Sequence, residues 1–174
     1  MENDESRTIH PVDAAPEALR GQCEVRRVRR SGPGGQHRNK VETGIVLHHS
    51  PTGVQAEANE RRSQSENLAV ALGRLRRTLA LEVRCARDAE DVPSPLWRRR
   101  CSQGRISINP EHSDVAPLLA EALDVLSACE FDVGPASERL ACTPSQLVKF
   151  LKLEPRALEL VNARRLAAGR HRLK

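Results

Sequence analysis

The stretch CEVRRVRRSGPGGQHRNKVETGIVLHHSPTGVQAEANE, residues 23–60, contains the pattern that decides the fold. Residues 23–30 and 44–49 read as two short strands, because β-branched and apolar side chains are concentrated there. Residues 54–60 alternate apolar and polar side chains, which predicts a third, antiparallel strand. Residues 31–40 hold three glycines and a proline, so a loop is expected between the first two strands.

An amphipathic helix is predicted directly after these strands. Ser63-Gln64-Ser65-Glu66 has the form of a capping box, in which the Ser hydroxyl and the Glu carboxylate each accept a free backbone N–H. Apolar residues then recur at spacings of three and four, which makes one stripe about four turns long. The predicted stripe consists of Leu68, Leu72, Leu75, Leu79 and Val83.

The C-terminal part of the sequence predicts short helices only. From Ser113 the apolar residues follow a helical period, and Thr143-Pro144-Ser145-Gln146 is a second capping box with Pro at the first helical position. Leu147, Phe150 and Leu151 are expected to point inward. The arrangement resembles a helix-turn-helix, with 143–151 in the recognition position.

The predicted fold class is α+β: a small antiparallel sheet with a projecting loop and a packed helix, followed by a separate all-helical, helix-turn-helix-like module. The predicted parts are a disordered acidic N-terminus (1–19), the sheet domain (20–90), a linker (91–112), the helical module (113–169) and a short basic tail (170–174).

Composition excludes several classes of protein. The 174 residues carry a net charge of +5, and 24 of the 28 basic residues are Arg, which favours forked contacts to phosphate. Residues 20–100 alone have a net charge of +8. Three aromatic residues are too few for a platform that stacks single-stranded bases. The sequence shows no signal peptide or membrane span, and five cysteines without a C-x-x-C pair argue against a disulfide framework or a zinc ribbon.

The loop is the segment whose residues are most suited to a catalytic or binding role. The adjacent Gly34 and Gly35 can adopt backbone angles closed to other residues, and Gln36 then offers a backbone N–H. No nucleotide-binding glycine motif is present. The two glycines and the Gln alone favour a plain Gly-rich hairpin loop, so the interpretation depends on the residues around them.

Four short motifs occur in order along the chain: Gly34-Gly35-Gln36, Asn39-Lys40, His49-Ser50-Pro51-Thr52-Gly53 and Arg62-Ser63-Gln64. Together with the basic helix that follows, they resemble the catalytic domain of class I peptide-chain release factors. The resemblance covers about residues 22–85. It implies a small α/β domain from which the GGQ loop projects.

The resemblance also implies an activity, hydrolysis of the ester between a nascent peptide and its tRNA in the peptidyl transferase centre. Gly34, Gly35 and Gln36 would form the catalytic tip, and the Gln36 backbone N–H would stabilise the developing oxyanion or the leaving hydroxyl. Gln36 would also be the site of methylation by a glutamine methyltransferase. The residues implied to contact 23S-type ribosomal RNA are Arg29, Arg30, Ser31, Gly32, Arg38, Asn39 and Lys40. At Arg38 the family usually has Val or Ile.

Three functions remain open from the sequence. Decoding release factors carry a large domain before the GGQ segment, whereas 33 residues precede Gly34 here, so a codon-independent factor that rescues stalled ribosomes is expected. The second possibility is the same hydrolysis on dissociated large subunits, with the helical module binding RNA or a partner. The third is a non-catalytic nucleic-acid-binding protein that uses the helix-turn-helix-like segment.

The expected partners are the large ribosomal subunit and peptidyl-tRNA, with no membrane and no DNA. No cofactor and no metal are expected, because the ribosomal RNA and the substrate supply the rest of the site. The chain is expected to be a cytoplasmic monomer.

Overall fold

The computed structural model describes residues 9–29 and 42–174. It is a mixed α/β structure with a small antiparallel sheet and several helices, which confirms the predicted fold class. The described residues divide into two compact units, 11–82 and 83–174, with Ile9 and His10 grouped with the second. The sheet unit and the helical unit, as they are called below, are described separately.

The sheet unit contains three antiparallel strands in the order β1 (Cys23–Val28), β2 (Gly44–His49) and β3 (Gln55–Ala58). All three were predicted. In β2, Ile45 and Leu47 are buried whereas Val46 and His48 are half-buried, because successive side chains point to opposite faces. Ile45 pairs with Ala58 of β3, so the buried face continues across the two strands.

Helix α2 (Gln64–Glu82) covers the buried face of this sheet. Its buried stripe is Asn67, Ala71, Leu75 and Leu79, which recur every four residues. The predicted stripe was therefore right only at Leu75 and Leu79, since Leu68 and Leu72 are half-buried and Val83 is half-buried beyond the end of the helix. Small alanines let the helix approach the strands closely, and a count of large apolar side chains does not register them.

The first part of the sheet unit corrects the prediction that residues 1–19 are disordered. Pro11–Asp13 forms a 3₁₀ turn and Pro16–Gly21 forms helix α1, while residues 1–8 lie outside the described residues. Val12 and Leu19 are completely buried. Arg76 of α2 donates through Nη2 to the Val12 carbonyl (3.2 Å), so burial of two isolated apolar residues and side-chain contacts such as this one order the segment.

The helical unit begins with regular structure where a linker was predicted. Within residues 91–112 lie α3 (Pro95–Arg100) and a hairpin of two short strands, β4 (Cys101–Ser102) and β5 (Arg105–Ile106). Trp97 is 1% exposed and packs edge-on against Phe150, with ring centroids 5.7 Å apart. Burying a Trp gives a polar segment the apolar contact that its composition does not suggest.

Four further helices complete the unit: α4 (Val115–Ala128), α5 (Val133–Arg139), α6 (Pro144–Leu151) and α7 (Pro155–Ala167). The Thr143 hydroxyl caps α6 by accepting the Gln146 N–H (3.3 Å), as its sequence predicted. The Asp132 carboxylate caps α5 through the Gly134 N–H (3.1 Å). Leu147, Phe150 and Leu151 are buried, so the predicted inner face of α6 is confirmed.

Helix α4 is the core element, because every residue from Val115 to Leu126 is buried. Two of these residues are acidic. Glu121 accepts hydrogen bonds from the Ser94 N–H (2.7 Å) and hydroxyl (2.6 Å). Asp124 accepts from the Cys85 N–H (3.1 Å) and from Arg87 Nε (2.8 Å), and its carboxylate also lies 3.3 Å from Arg84 Nη1. These buried carboxylates hold the chain segment that precedes α3.

No helix among the described residues is both long and apolar enough to cross a bilayer.

Replacing Asp124 with Ala is expected to lower the free energy of unfolding of the helical unit by about 3 kcal/mol, because two guanidinium groups lose a buried carboxylate. Trp97 is the single tryptophan and lies in this unit, so its fluorescence in a urea titration measures the loss. Glu130→Ala is the control, since that side chain is 88% exposed and the change is expected to stay within about 0.5 kcal/mol. Equal midpoints for the two variants would contradict this account of Asp124.

Candidate functional site

The predicted catalytic loop connects β1 and β2. Gly34, Gly35 and Gln36 lie outside the described residues, as do all the predicted RNA-binding residues except Arg29. The strands on either side are described, and Val28 at the end of β1 pairs with Gly44 at the start of β2. The two ends of the segment 30–41 therefore start from neighbouring positions at one end of the sheet.

Arg29 and Glu42 stand on either side of that segment. Their Nη2 and Oε1 atoms are 3.9 Å apart, and both side chains are more than half exposed. An ion pair of this kind contributes less than about 1 kcal/mol. The Arg29 guanidinium is thus positioned at the sheet end and can exchange Glu42 for another anion at little cost.

Gly44 is required by the close approach of the two strands. A Cβ atom at this position would lie 2.8 Å from both the carbonyl oxygen and the Cγ2 atom of Val28. No side chain fits at that distance from a backbone oxygen without moving the strand. Gly44 therefore lets β1 and β2 stay paired to the end of β1 at Val28, two residues before the segment 30–41 begins.

The first turn of α2 holds the other side of this sheet end. The Asn67 side chain is 0% exposed, and its Nδ2 donates to the carbonyls of Thr43 (2.7 Å) and Arg61 (2.9 Å). Its Oδ1 accepts the Arg61 N–H (2.9 Å). Gln64 adds a bond from Nε2 to the Glu42 carbonyl (2.7 Å). We call Gln64 and Asn67 the brace, because together they fix residues 42–43 against the helix.

Asn67 was missed by the sequence reasoning, although a signal was available. It occupies a position four residues before Ala71 and eight before Leu75, where the buried stripe of α2 continues. A buried polar side chain at such a position must be satisfied by hydrogen bonds, which makes it a candidate for holding backbone. Gln64 was part of the Arg-Ser-Gln motif, but its contact with Glu42 could not be read from spacing.

The His49–Gly53 motif lies at the opposite end of the sheet and serves the β2–β3 turn. The His49 ring is 1% exposed, with Nδ1 2.7 Å from Thr52 Oγ1 and Nε2 3.0 Å from Gln22 Oε1. The side-chain oxygen Oε1 of Gln22 can only accept a hydrogen bond. His49 Nε2 therefore carries the proton, and Nδ1 accepts from the Thr52 hydroxyl. Burial lowers the pKa of His49, and the neighbouring His48 lowers it further. The ring is therefore a neutral structural group remote from the candidate site.

The exposed surface of β1 is cationic. Arg26 and Arg27 are exposed along this edge strand, and Arg26 is drawn toward Glu24 at 3.4 Å. Within the described residues, no three His, Cys, Asp or Glu side chains are grouped as metal ligands would be. What the described site offers is a rigid support that carries positive charge.

The RF-1 domain model matches residues 17–107, just over half of the chain. The chain belongs to the RF-1 domain family. The match includes the whole sheet, α2 and the 30–41 segment, and it continues through α3 and the β4–β5 hairpin. It therefore extends beyond the 22–85 range in which the sequence motifs were recognised.

Two similar proteins are named as peptide chain release factors. Peptide chain release factor 1 of Delftia acidovorans is 36% identical over 85 residues, which are 49% of this chain and 21% of that protein. Peptide chain release factor 1 of Leptothrix cholodnii is 41% identical over 83 residues, which are 47% of this chain and 23% of that protein. The chain thus spans less than a quarter of the length of these relatives.

In this RF-1 domain, Asn67→Ala is expected to lower the free energy of unfolding by about 3 kcal/mol, because three backbone groups lose their buried partner. Gln64→Ala removes one bond at a more exposed position and is expected to cost about 1 kcal/mol or less. Hydrogen exchange at the Arg61 amide, which donates to Asn67, reports the change locally. Unchanged exchange at Arg61 in Asn67→Ala would refute the role given to the brace.

The RF-1 domain is also expected to lose stability as the pH falls below about 6.5. The unfolded chain protonates His49 near 6.5, whereas the folded pKa is lower, so the unfolded state binds the proton first. Stability contributed by neutral His49 is fully present above 6.5 and decreases as the pH falls towards the folded pKa. An NMR titration of the His49 ring measures that pKa directly, and His49→Gln is expected to flatten the pH dependence of unfolding. A titration midpoint at or above 6.5 would contradict this.

Proposed function

We propose that this chain hydrolyses the ester bond between a nascent peptide and its tRNA on the ribosome, with Gly34, Gly35 and Gln36 at the reacting atoms. The observation that carries the proposal is the RF-1 domain match across the residues that enclose this tripeptide. The described geometry supports it, because Val28, Gly44 and Asn67 hold the two ends of the segment 30–41 together at one end of the sheet.

In the proposed reaction a water molecule attacks the ester carbonyl, the carbon–oxygen bond to the tRNA ribose breaks, and the ribose hydroxyl takes a proton as the peptide acid leaves. The Gln36 backbone N–H donates to the oxygen on which charge develops. The Gln36 side chain excludes nucleophiles larger than water, and its amide is the position that a glutamine methyltransferase would modify. The ribosomal RNA and the tRNA provide the remaining contacts.

The flanking residues Arg29, Arg30, Ser31, Gly32, Arg38, Asn39 and Lys40 are proposed to bind ribosomal RNA. Arg29 is the one whose position is described, and its loose pairing with Glu42 at 3.9 Å leaves it able to bind a phosphate instead. Arg is suited to this contact because its planar fork matches two phosphate oxygens. Of the remaining six residues, Arg30, Arg38 and Lys40 are also cationic.

We further propose that the reaction is independent of a stop codon and rescues stalled ribosomes in the cytoplasm, with the protein acting as a monomer. One observation supports this form. Residues 108–174, which lie outside the family match, contribute helices α4 to α7 to the helical unit. Peptidyl-tRNA on a dissociated large subunit is the second candidate substrate.

Purified protein is expected to release peptide from 70S ribosomes stalled on a truncated mRNA. Gly35→Ala and Gln36→Pro are expected to reduce the single-turnover rate by at least about 100-fold, since each disturbs the donor that stabilises developing charge. Gly73→Ala is the matched control, because a Cβ at this exposed helical position meets nothing within 4 Å. It is expected to release peptide at the wild-type rate.

The ribosomal complex distinguishes the alternatives. Equal rates on truncated mRNA and on a stop codon indicate codon independence, whereas a rate that depends on the stop codon would refute it. Faster release from free large subunits would favour the second substrate. Full activity in Gly35→Ala would overturn the catalytic role given to this tripeptide. Absence of release by the wild-type protein on all of these substrates would instead leave a non-catalytic binding protein.

A further inference from the structure

Charge is divided sharply within the helical unit. Residues 155–174, which form α7 and the tail, contain six Arg or Lys residues and one acidic residue, Glu159. Residues 101–154 contain four basic and eight acidic residues. The final twenty residues therefore carry a net charge of +5 beside a segment of net −4. They also lie outside the part of the chain that the RF-1 domain model matches.

The tail is folded against α7, contrary to the expectation of a loose basic end. Asn162 is 4% exposed, and its side chain accepts the Leu173 N–H (2.6 Å) and donates to the Leu173 carbonyl (3.2 Å). Arg165 adds a bond from Nε to the His171 carbonyl (3.0 Å). Arg165 also donates through Nη1 to the Phe131 carbonyl (2.7 Å), which connects the same turn of α7 to the residues between α4 and α5.

These bonds hold the backbone of a basic tail beside a basic part of α7. His171 and Leu173 are bonded to side chains of the turn 162–165, so Arg172 lies between two residues fixed to the turn in which Arg164 occurs, and both Arg side chains are exposed. Arg170 pairs with Asp132 and lies 4.0 Å from Glu130. We call Arg164, Arg170, Arg172 and Lys174 the C-terminal basic surface. Asp132, Glu130 and Glu159 are the acidic groups on the elements that form it.

Holding this surface together opposes two physical effects. Ordering a tail of five residues loses conformational entropy, and like charges on one turn repel each other. The fold nevertheless uses a buried Asn and an Arg to fix the tail's backbone while leaving the charged ends in solvent. Such an arrangement is favourable when a polyanion binds, because the cations are already positioned and the repulsion is relieved.

The chemistry of the surface identifies the kind of polyanion. Three of its four cations are Arg, which binds phosphate through a planar fork. Trp97 and Phe150 of this unit are buried and Phe131 is half-buried, so the unit offers no fully exposed aromatic ring for stacking on unpaired bases. Phosphate contacts without stacking are typical of binding to the backbone of folded, base-paired RNA.

We infer that the C-terminal basic surface binds the phosphate backbone of folded RNA, and in the context of the proposed function this RNA is ribosomal. The surface is distinct from the segment 30–41, and its contribution is to affinity rather than to the chemical step. The inference rests on the proposed function only for the choice of ribosomal RNA.

The test measures binding of the full-length protein to 70S ribosomes and to the separated subunits over a range of salt concentrations. Arg164→Gln combined with Arg172→Gln is expected to raise the Kd about 5- to 20-fold and to lower the slope of log Kd against log salt by about 2. The matched control is Lys149→Gln combined with Lys152→Gln, which removes the same charge from exposed positions on α6 and the residue after it. It is expected to change the Kd less than twofold.

A third variant separates geometry from charge. Asn162→Ala keeps every cation but removes both bonds to Leu173, and it is expected to raise the Kd about 2- to 5-fold. Trp97 fluorescence in urea verifies that each variant is folded. Unchanged binding in the double Arg variant would overturn the inference, as would an equal loss in the Lys control, which would assign the effect to overall charge or to α6.

The binding measurement and the release measurement can each refute one proposal without refuting the other. Wild-type protein that binds ribosomes through this surface but releases no peptide would refute the proposed hydrolysis and leave the RNA-binding surface standing. Protein that releases peptide with unchanged Kd and rate in the double Arg variant would refute the surface alone.

Discussion

Three hydrogen bonds made by one buried amide, that of Asn67, hold the sheet end from which the candidate catalytic segment departs. They join the first turn of α2 to Thr43 and Arg61, which are distant from each other in sequence. A buried backbone carbonyl without a partner is costly, so the amide and the backbone groups stabilise each other only in this one arrangement. The strand pairing at Val28 and Gly44 depends on the same arrangement, since β2 begins one residue after Thr43.

This constraint bears on the proposed chemistry, in which the domain supplies a backbone donor rather than an acid–base pair. The proposed catalytic group is a backbone N–H, and a backbone donor is useful only when the chain that carries it is positioned. Side chains can be positioned by their own packing, whereas a backbone donor inherits its position from the elements at both ends of its segment. In this protein those elements are a closed strand pair and a helix that share one buried amide.

The sequence predicted those elements well where the pattern of side chains reflects a single environment. The β-branched and apolar residues of 44–49 predicted β2, and the capping box that begins at Thr143 predicted the start of α6. Asn67 and the ordered residues before β1 were not predicted, because their order comes from individual contacts made by Arg76 and by backbone carbonyls. The segment around Trp97 was not predicted for the same reason, since one large apolar side chain in a polar stretch produces no hydrophobic periodicity.

The distribution of charge is a second feature that composition shows only in part. Composition placed most positive charge in residues 20–100 and described residues 101–174 as nearly neutral. The structure resolves that near-neutral half into acidic groups that are partly internal, such as Glu121 and Asp124, and cations that stay in solvent on α7 and the tail. An acid that is buried against Arg84 and Arg87 neutralises those residues rather than the surface. Six of the ten basic residues in 101–174 lie on α7 and the tail, so the positive charge of this part of the chain is concentrated there.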